Sequence, residues 1–368
     1  MFQIMRTKKV LALILVSVMV ISMVLAAGCS TKAKRPDVRI GLVFDVGGRG
    51  DKSFNDSAYA GFEKAMKEFD PTAKSTDKTT WVGKYEWKYL EPSAGGENRE
   101  QLLRTLAEDK YTLVFGVGFL FTDALANVAK AFPATKFALI DGFVDKLTDA
   151  SNIVCLGFSE HEGSFVVGAA AAKLSKTGTV GFVGGMKIPL IEKFEAGFYA
   201  GAKYVNPKIK VVSAYIGTTG DAFKDPTKGK ELALSQFQKD KADVVYHASG
   251  ASGVGVFQAA AQVKKLAIGV DSDQYLTAGA DLQPYIATSM LKRVDVAVYE
   301  TIKAVVGNTF KGGYRTFGLS DNGVGYADNP GIKDIKAALD EIKGKVAKGE
   351  IKVPANMADA KKFADALK

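Results

Sequence analysis

The chain has 368 residues, 47% of them apolar and 24% charged, with a formal net charge of +9, two histidines and two cysteines. That length suits two ordinary domains, and the apolar share is enough to bury a core in each, which excludes a disordered chain. Basic residues are spread among acids, and no Lys/Arg cluster sits among aromatics, so a nucleic-acid groove is excluded and the charges read as a solvated surface.

Arg6, Lys8 and Lys9 precede an uncharged apolar run over 10–25 that ends in Leu25-Ala26-Ala27-Gly28-Cys29. A run that short, with a basic start and small residues at its end, reads as an export signal over 1–28 rather than a permanent span. Its ending resembles a bacterial lipobox, which implies cleavage before Cys29 and a lipid on its sulfur. The folded part is then expected outside the cytoplasm, held at the cell membrane by a polar tether over 29–37. The alternative, a retained signal anchor with Cys29 an idle thiol, puts the folded part on the same side. Cys155 lies in the apolar run Ile153-Val154-Cys155-Leu156 and is expected as a small buried hydrophobe, with no disulfide partner once Cys29 is lipidated.

From residue 38 on, short apolar runs rich in Val, Ile and Phe predict strands over 38–45, 112–117, 136–141, 152–158, 179–184, 210–216, 243–248, 266–271 and 285–290. Between most of them the apolar spacing predicts helices over 56–69, 97–108, 121–131, 160–174, 190–204, 228–240 and 253–264. A strand over 86–91, with 78–85 as a hairpin arm or loop, interrupts this alternation, and packing helices over 332–348 and 357–367 end the chain. Apolar strands without inside/outside alternation, separated by helices, are the mark of parallel sheets covered on both faces. The fold class is therefore α/β, with two doubly wound sheets. Unusual glycines and acids gather at the strand ends, in Asp45-Val-Gly-Gly, Gly116-Val-Gly, Asp141-Gly142, Gly184-Gly185, Ser249-Gly250 and Asp271-Ser-Asp273, the edge where open parallel sheets bind ligands. Each such glycine has the plainer role of a strand-to-helix turn as well.

In order along the chain come Gly-Leu-Val-Phe-Asp45, Asp51-Lys-Ser-Phe54-Asn55, Glu162-Gly-Ser-Phe165, Phe194-Glu-Ala-Gly-Phe198, Asp225-Pro226-Thr-Lys-Gly229, Ile268-Gly-Val-Asp271-Ser-Asp273-Gln-Tyr275 and Thr288-Ser-Met-Leu-Lys292. With Gly349-Glu-Ile-Lys-Val-Pro354 these words cover nearly all of the chain after the leader, and it resembles the basic membrane protein (Bmp) family of lipoproteins, most of all the purine nucleoside receptors within it. The resemblance implies a type I periplasmic-binding-protein fold whose two lobes, joined by a hinge, close on a ligand for an ABC importer. Its lobes are expected over 38–157, rejoined by about 291–312, and over 158–290, with crossover strands and packing helices in 313–368. Implied partners are a purine nucleoside, transporter permease subunits and the membrane through the lipid on Cys29. The chain is expected to be a monomer without nucleic acid, cofactor or metal.

Carried over residue by residue, the resemblance places Phe54 and Phe223 on the two faces of the base, where aromatic stacking is worth about 1–3 kcal/mol per base. Asn55 and Asp123 are assigned the base edge, and Asp271 and Lys292 the ribose hydroxyls, helped by Asp45 and the backbone at Gly250. The plainer readings are packing at a helix start for Phe54 and a helix N-terminal acid for Asp123. The loop Val46-Gly-Gly-Arg49-Gly50 is richer in glycine than the family pattern, and 218–223 is longer, which leaves base preference open. An enzyme is the competing class, but His161, expected at a surface helix start, and His247 lack metal-ligand spacing, and neither a Gly-x-Ser-x-Gly elbow nor a phosphate loop occurs. Further alternatives are a sugar or another nucleobase compound on the same fold, or a surface sensor or adhesin.

Overall fold

A computed structural model describes residues 36–73, 79–82, 84–93 and 95–367, so the expected leader, Cys29 and most of the tether lie outside the described residues. Two sheets organise the body over 38–367. The first holds β1 (Val38–Val43), β2 (Thr79–Val82), β3 (Tyr85–Leu90), β4 (Leu113–Val117), β5 (Lys136–Ile140) and β6 (Ile153–Phe158). The second holds β7 (Thr179–Met186), β8 (Lys210–Gly217), β9 (Val244–Ala248), β10 (Leu266–Asp271) and β11 (Ile286–Lys292). One late strand completes each: β12 (Gly313–Phe317) joins the first and β13 (Val324–Tyr326) the second, giving the orders β12-β6-β5-β4-β1-β3-β2 and β13-β11-β10-β9-β7-β8. All pairings are parallel except β2 on β3 and β13 on β11. The expected strand over 86–91 and the arm before it are thus one hairpin, β2–β3, set parallel to β1 along β3.

The helices follow the expected alternation: α1 (Phe54–Phe69), α2 (Arg99–Glu108), α3 (Thr122–Ala131), α4 (Glu160–Leu174), α5 (Pro189–Val205), α6 (Pro226–Gln238), α7 (Gly253–Val263), a short α8 (Gln274–Thr277), α9 (Val294–Val306), α10 (Lys336–Ala347) and α11 (Met357–Asp365). Strands β4 and β9 are buried along their whole length, as expected for sheets with helices on both faces. The chain passes between the two sheets after β6, after β11 and between β12 and β13, and α9 returns to pack on α1.

Two of the family words have a structural cause. In Asp225-Pro226-Thr-Lys-Gly229 the Asp225 carboxylate caps α6 by accepting from Lys228 N at 2.8 Å, with Pro226 in the first turn. The glycines of α4 and α5 let those helices touch backbone to backbone: a Cβ at Gly168 would meet the Phe198 carbonyl, and one at Gly197 the His161 carbonyl. This contact corrects the expectation of a surface His161. Its Nδ1 is buried, and burial pushes the imidazole down to about 4. Cys155 is buried on β6, in the small hydrophobe's place expected for it.

Candidate functional site

The carboxyl ends of both sheets face one cleft. On the first lobe its wall begins at the turn after β1. Asp45 N donates to Asn55 Oδ1 at 3.0 Å, and Asn55 Nδ2 donates to Asp51 Oδ2 at 3.0 Å. The Asp51 carboxylate also accepts from the backbone of Ser53 (2.9 Å), Asn55 (2.9 Å) and Asp56 (3.1 Å), so it closes the open N-terminus of α1. Burial nevertheless pushes Asp51 up to about 6 against those bonds. Asp45 is likewise raised by burial, opposed by Arg99, whose Nη2 lies 2.7 Å from Oδ1. Asp51 is buried, and the Arg49 guanidinium lies 3.5 Å over the Tyr59 ring.

Phe54, the first residue of α1, is half-buried and faces the Lys292 ammonium at 4.9 Å. From the other lobe, Phe223 ends a turn over Gly220–Phe223 and meets Phe119 edge-on, ring centroids 6.3 Å apart at 69°. Gly250, with φ +56, lies beside the Phe223 backbone, a left-handed conformation that explains a glycine there. Asp271 ends β10 and accepts from Ser53 Oγ at 2.5 Å. Lys292 ends β11, is 2% exposed, and donates to Asp141 Oδ2, with Glu160 Oε1 3.6 Å away. Three rings surround its ammonium, Phe54, Phe158 and Phe194, the last two at 5.2 and 5.5 Å. Burial pulls Lys292 down, but Asp141, Glu160 and Asp271 together hold it above its ordinary value. Asp141 is pushed up to about 6 by burial, with Lys292 opposing and Glu160 adding to the rise.

Of the residues expected at a ligand, Asp45, Phe54, Asn55, Phe223, Gly250, Asp271 and Lys292 line this cleft. Asp123 does not. The turn over Phe119–Phe121 points Phe119 and Leu120 at the cleft and Phe121 into the core, so the chain emerges at α3 with Asp123 exposed in its first turn, the plainer role of a helix-start acid. Asn55 lines the cleft with both ends of its amide engaged by Asp45 and Asp51. Sequence reasoning missed Asp51, Asp141 and the apolar wall of Leu190, Ile191 and Phe194. For Asp141 the signal was its place at a strand end, and for Asp51 its place in the same word as Phe54. Phe194 sits at helical spacing, where core packing is the default.

Among the described residues no helix is long and apolar enough to cross a membrane. Residues 38–357 match the family described as Bmp, ABC transporter substrate-binding protein PnrA-like. An uncharacterised lipoprotein of Pyrococcus abyssi is 38% identical over 340 residues, covering 88% of this chain and 78% of its own length. The ABC transporter nucleoside-binding protein BmpA of Lactococcus lactis is 32% identical over 343 residues, covering 89% and 92%. Among solved structures, an ABC transporter solute-binding protein from Aeropyrum pernix superposes with a TM-score of 0.73 at 29% identity, over 90% of this chain and 97% of that one. With a cleft between two doubly wound sheets and a match over nearly all of the described body, the chain belongs to the Bmp family of PnrA-like ABC transporter substrate-binding proteins.

Proposed function

We propose that this chain is an extracytoplasmic lipoprotein that captures a purine nucleoside between its lobes and delivers it to the permease of an ABC importer. The observation that carries the reading is the pairing of Phe54 and Phe223 from opposite lobes with buried Asp271 and Lys292 in one cleft. Two rings suit the flat faces of a base, and a carboxylate with an ammonium suits vicinal hydroxyls. The charged residues lining the cleft are Asp45, Asp51, Asp141, Asp271 and Lys292, a balance that favours an uncharged nucleoside over its phosphate esters. The nucleoside-binding relative in Lactococcus lactis supports the same ligand class.

In this reading the body over 38–157 with about 291–312 forms one lobe and 158–290 the other, the end of β11 with Lys292 staying in the second lobe's sheet. The ligand bridges them and stabilises the closed arrangement that the permease recognises, since a ligand shifts an equilibrium only through better contacts in one state. The chain acts as a monomer, anchored through a lipid on Cys29 after removal of 1–28. Thermal unfolding with inosine, guanosine, adenosine, cytidine, ribose and guanosine monophosphate tests it. A purine nucleoside at one hundred times its dissociation constant adds about 2.7 kcal/mol of stability. A response to ribose alone would replace the nucleoside with a sugar.

A further inference from the structure

Both polar groups that the second lobe brings to the ligand are held by partners on the first. Asp271 accepts from the Ser53 hydroxyl at 2.5 Å, and Lys292 donates to Asp141. Ser53 is fully buried and directly precedes Phe54, so the segment that carries a stacking ring also carries the donor to Asp271. Two further bonds pin that segment to the second lobe: Gln274 Nε2 to Lys52 O at 3.0 Å and Ser272 Oγ to Ser53 O at 3.2 Å. Gln274 is itself fixed, with His247 Nε2 at 2.9 Å from its Oε1, which also accepts from Val270 N at 2.8 Å. Lys52 lies at φ +55, a conformation uncommon for a residue with a side chain and one that surrounding structure must impose. On the other side, Asp141 is anchored to its own lobe by its N–H to Leu156 O at 2.9 Å, while Oδ1 has no hydrogen-bond partner and is buried.

We propose that Ser53 and Asp141 are positioning residues that hold Asp271 and Lys292 in the orientation the ligand uses, and that they do so only when the lobes are together. A carboxylate has two oxygens and an ammonium three protons, so one bond from each partner leaves Asp271 and Lys292 able to meet a ligand. When the lobes part, both bonds break together. The polar half of the site is then assembled by closure itself, and a ligand seated on one lobe does not obtain it. The two bonds formed on closure meet part of the cost of orienting these groups, which lowers what the ligand's own contacts must supply.

The inference rests on the nucleoside reading for its ligand, so the test includes a measurement that needs none. In the full chain, Ser53→Ala, Ser53→Thr and Asp141→Asn are compared with the parent, asparagine being chosen because it tolerates the φ of +62 at residue 141. Without ligand, amide hydrogen exchange over 50–56 and 266–275 is expected to rise in Ser53→Ala and to return toward the parent in Ser53→Thr. With inosine, Ser53→Ala is expected to bind about tenfold to a hundredfold more weakly, the loss of one charge-assisted hydrogen bond, mainly through faster dissociation. Asp141→Asn is expected to dissociate faster as well. Parent-like exchange and dissociation rates in folded Ser53→Ala would overturn the role of Ser53, and a parent-like dissociation rate in Asp141→Asn that of Asp141. If the parent binds no nucleoside, the functional reading fails, and the exchange comparison still decides whether Ser53 holds the lobes.

Discussion

Replacing Lys292 with methionine keeps the length of the side chain and removes one charge from a site where three carboxylates face it. The side chains of Asp141 and Glu160 are 4% and 0% exposed, and Asp271 is 6% exposed as a residue. At the 3.6 Å between Lys292 and Glu160, an effective dielectric of about 20 gives a gross attraction of about 5 kcal/mol for that pair alone. Desolvation of the ammonium offsets much of this, but breaking a buried pair from one side leaves uncompensated charge and costs about 3–5 kcal/mol. At about 2 °C per kcal/mol for a body of this size, Lys292→Met should lower the melting midpoint by about 6–10 °C.

The loss should depend on pH. Without the ammonium, Asp141 and Asp271, already raised by burial, rise further above their unfolded values. The native state then holds protons that the unfolded chain releases, so the destabilisation grows as pH rises from about 5 and shrinks below it. Adding Asp141→Asn to Lys292→Met should recover stability, because it removes one of the stranded charges. Calorimetric unfolding of the parent, the single variants and the double variant between pH 5 and 8 measures all of this. A Lys292→Met variant within about 1 kcal/mol of the parent at every pH would mean that the buried carboxylates do not depend on this ammonium.

Both histidines should titrate near 4 by proton NMR rather than near the ordinary 6.5, since burial disfavours their charged form. Their contribution to stability is present above 6.5 and is lost as pH falls toward 4, and a midpoint near 6.5 for His247 would contradict its buried place beside Gln274. Asp271→Ala should abolish most of the preference for a nucleoside over its 2′,3′-dideoxy analogue, at a cost of about 1–3 kcal/mol, whereas Phe223→Ala should weaken both ligands about equally. Titration calorimetry separates the two, and a retained preference in Asp271→Ala would remove it from the ribose. Cys29→Ala should move the protein from the membrane to the soluble fraction with ligand affinity unchanged, and equal membrane association in the variant would end the lipid-anchor proposal.

The sheets were legible because β4, β5, β9 and β10 are short, mostly apolar runs without inside/outside alternation, which leaves a buried parallel strand as the economical reading. Strands β12 and β13 were expected only through the resemblance and not placed by pattern, since an edge strand such as Gly313–Phe317 carries exposed Tyr314, Arg315 and Thr316 and leaves no apolar pattern. Its parallel pairing with β6 joins segments far apart in the chain. At the site, rings and acids at strand ends could be read residue by residue. The pairing of Asp141 with Lys292 joins residues 151 apart across two sheets, and no local spacing announces it. Asp123 lies outside the cleft lining because the turn before it points Phe119 and Leu120 at the cleft, and a helix-start acid and a ligand acid look alike in sequence.

The proposal that the chain captures a nucleoside is most directly tested by titrating it calorimetrically with inosine, inosine monophosphate and ribose. It predicts one inosine bound per chain, with a negative heat-capacity change from the stacked base and no comparable binding of the phosphate or the free sugar. Equal binding of ribose and inosine, or a preference for the monophosphate, would contradict it.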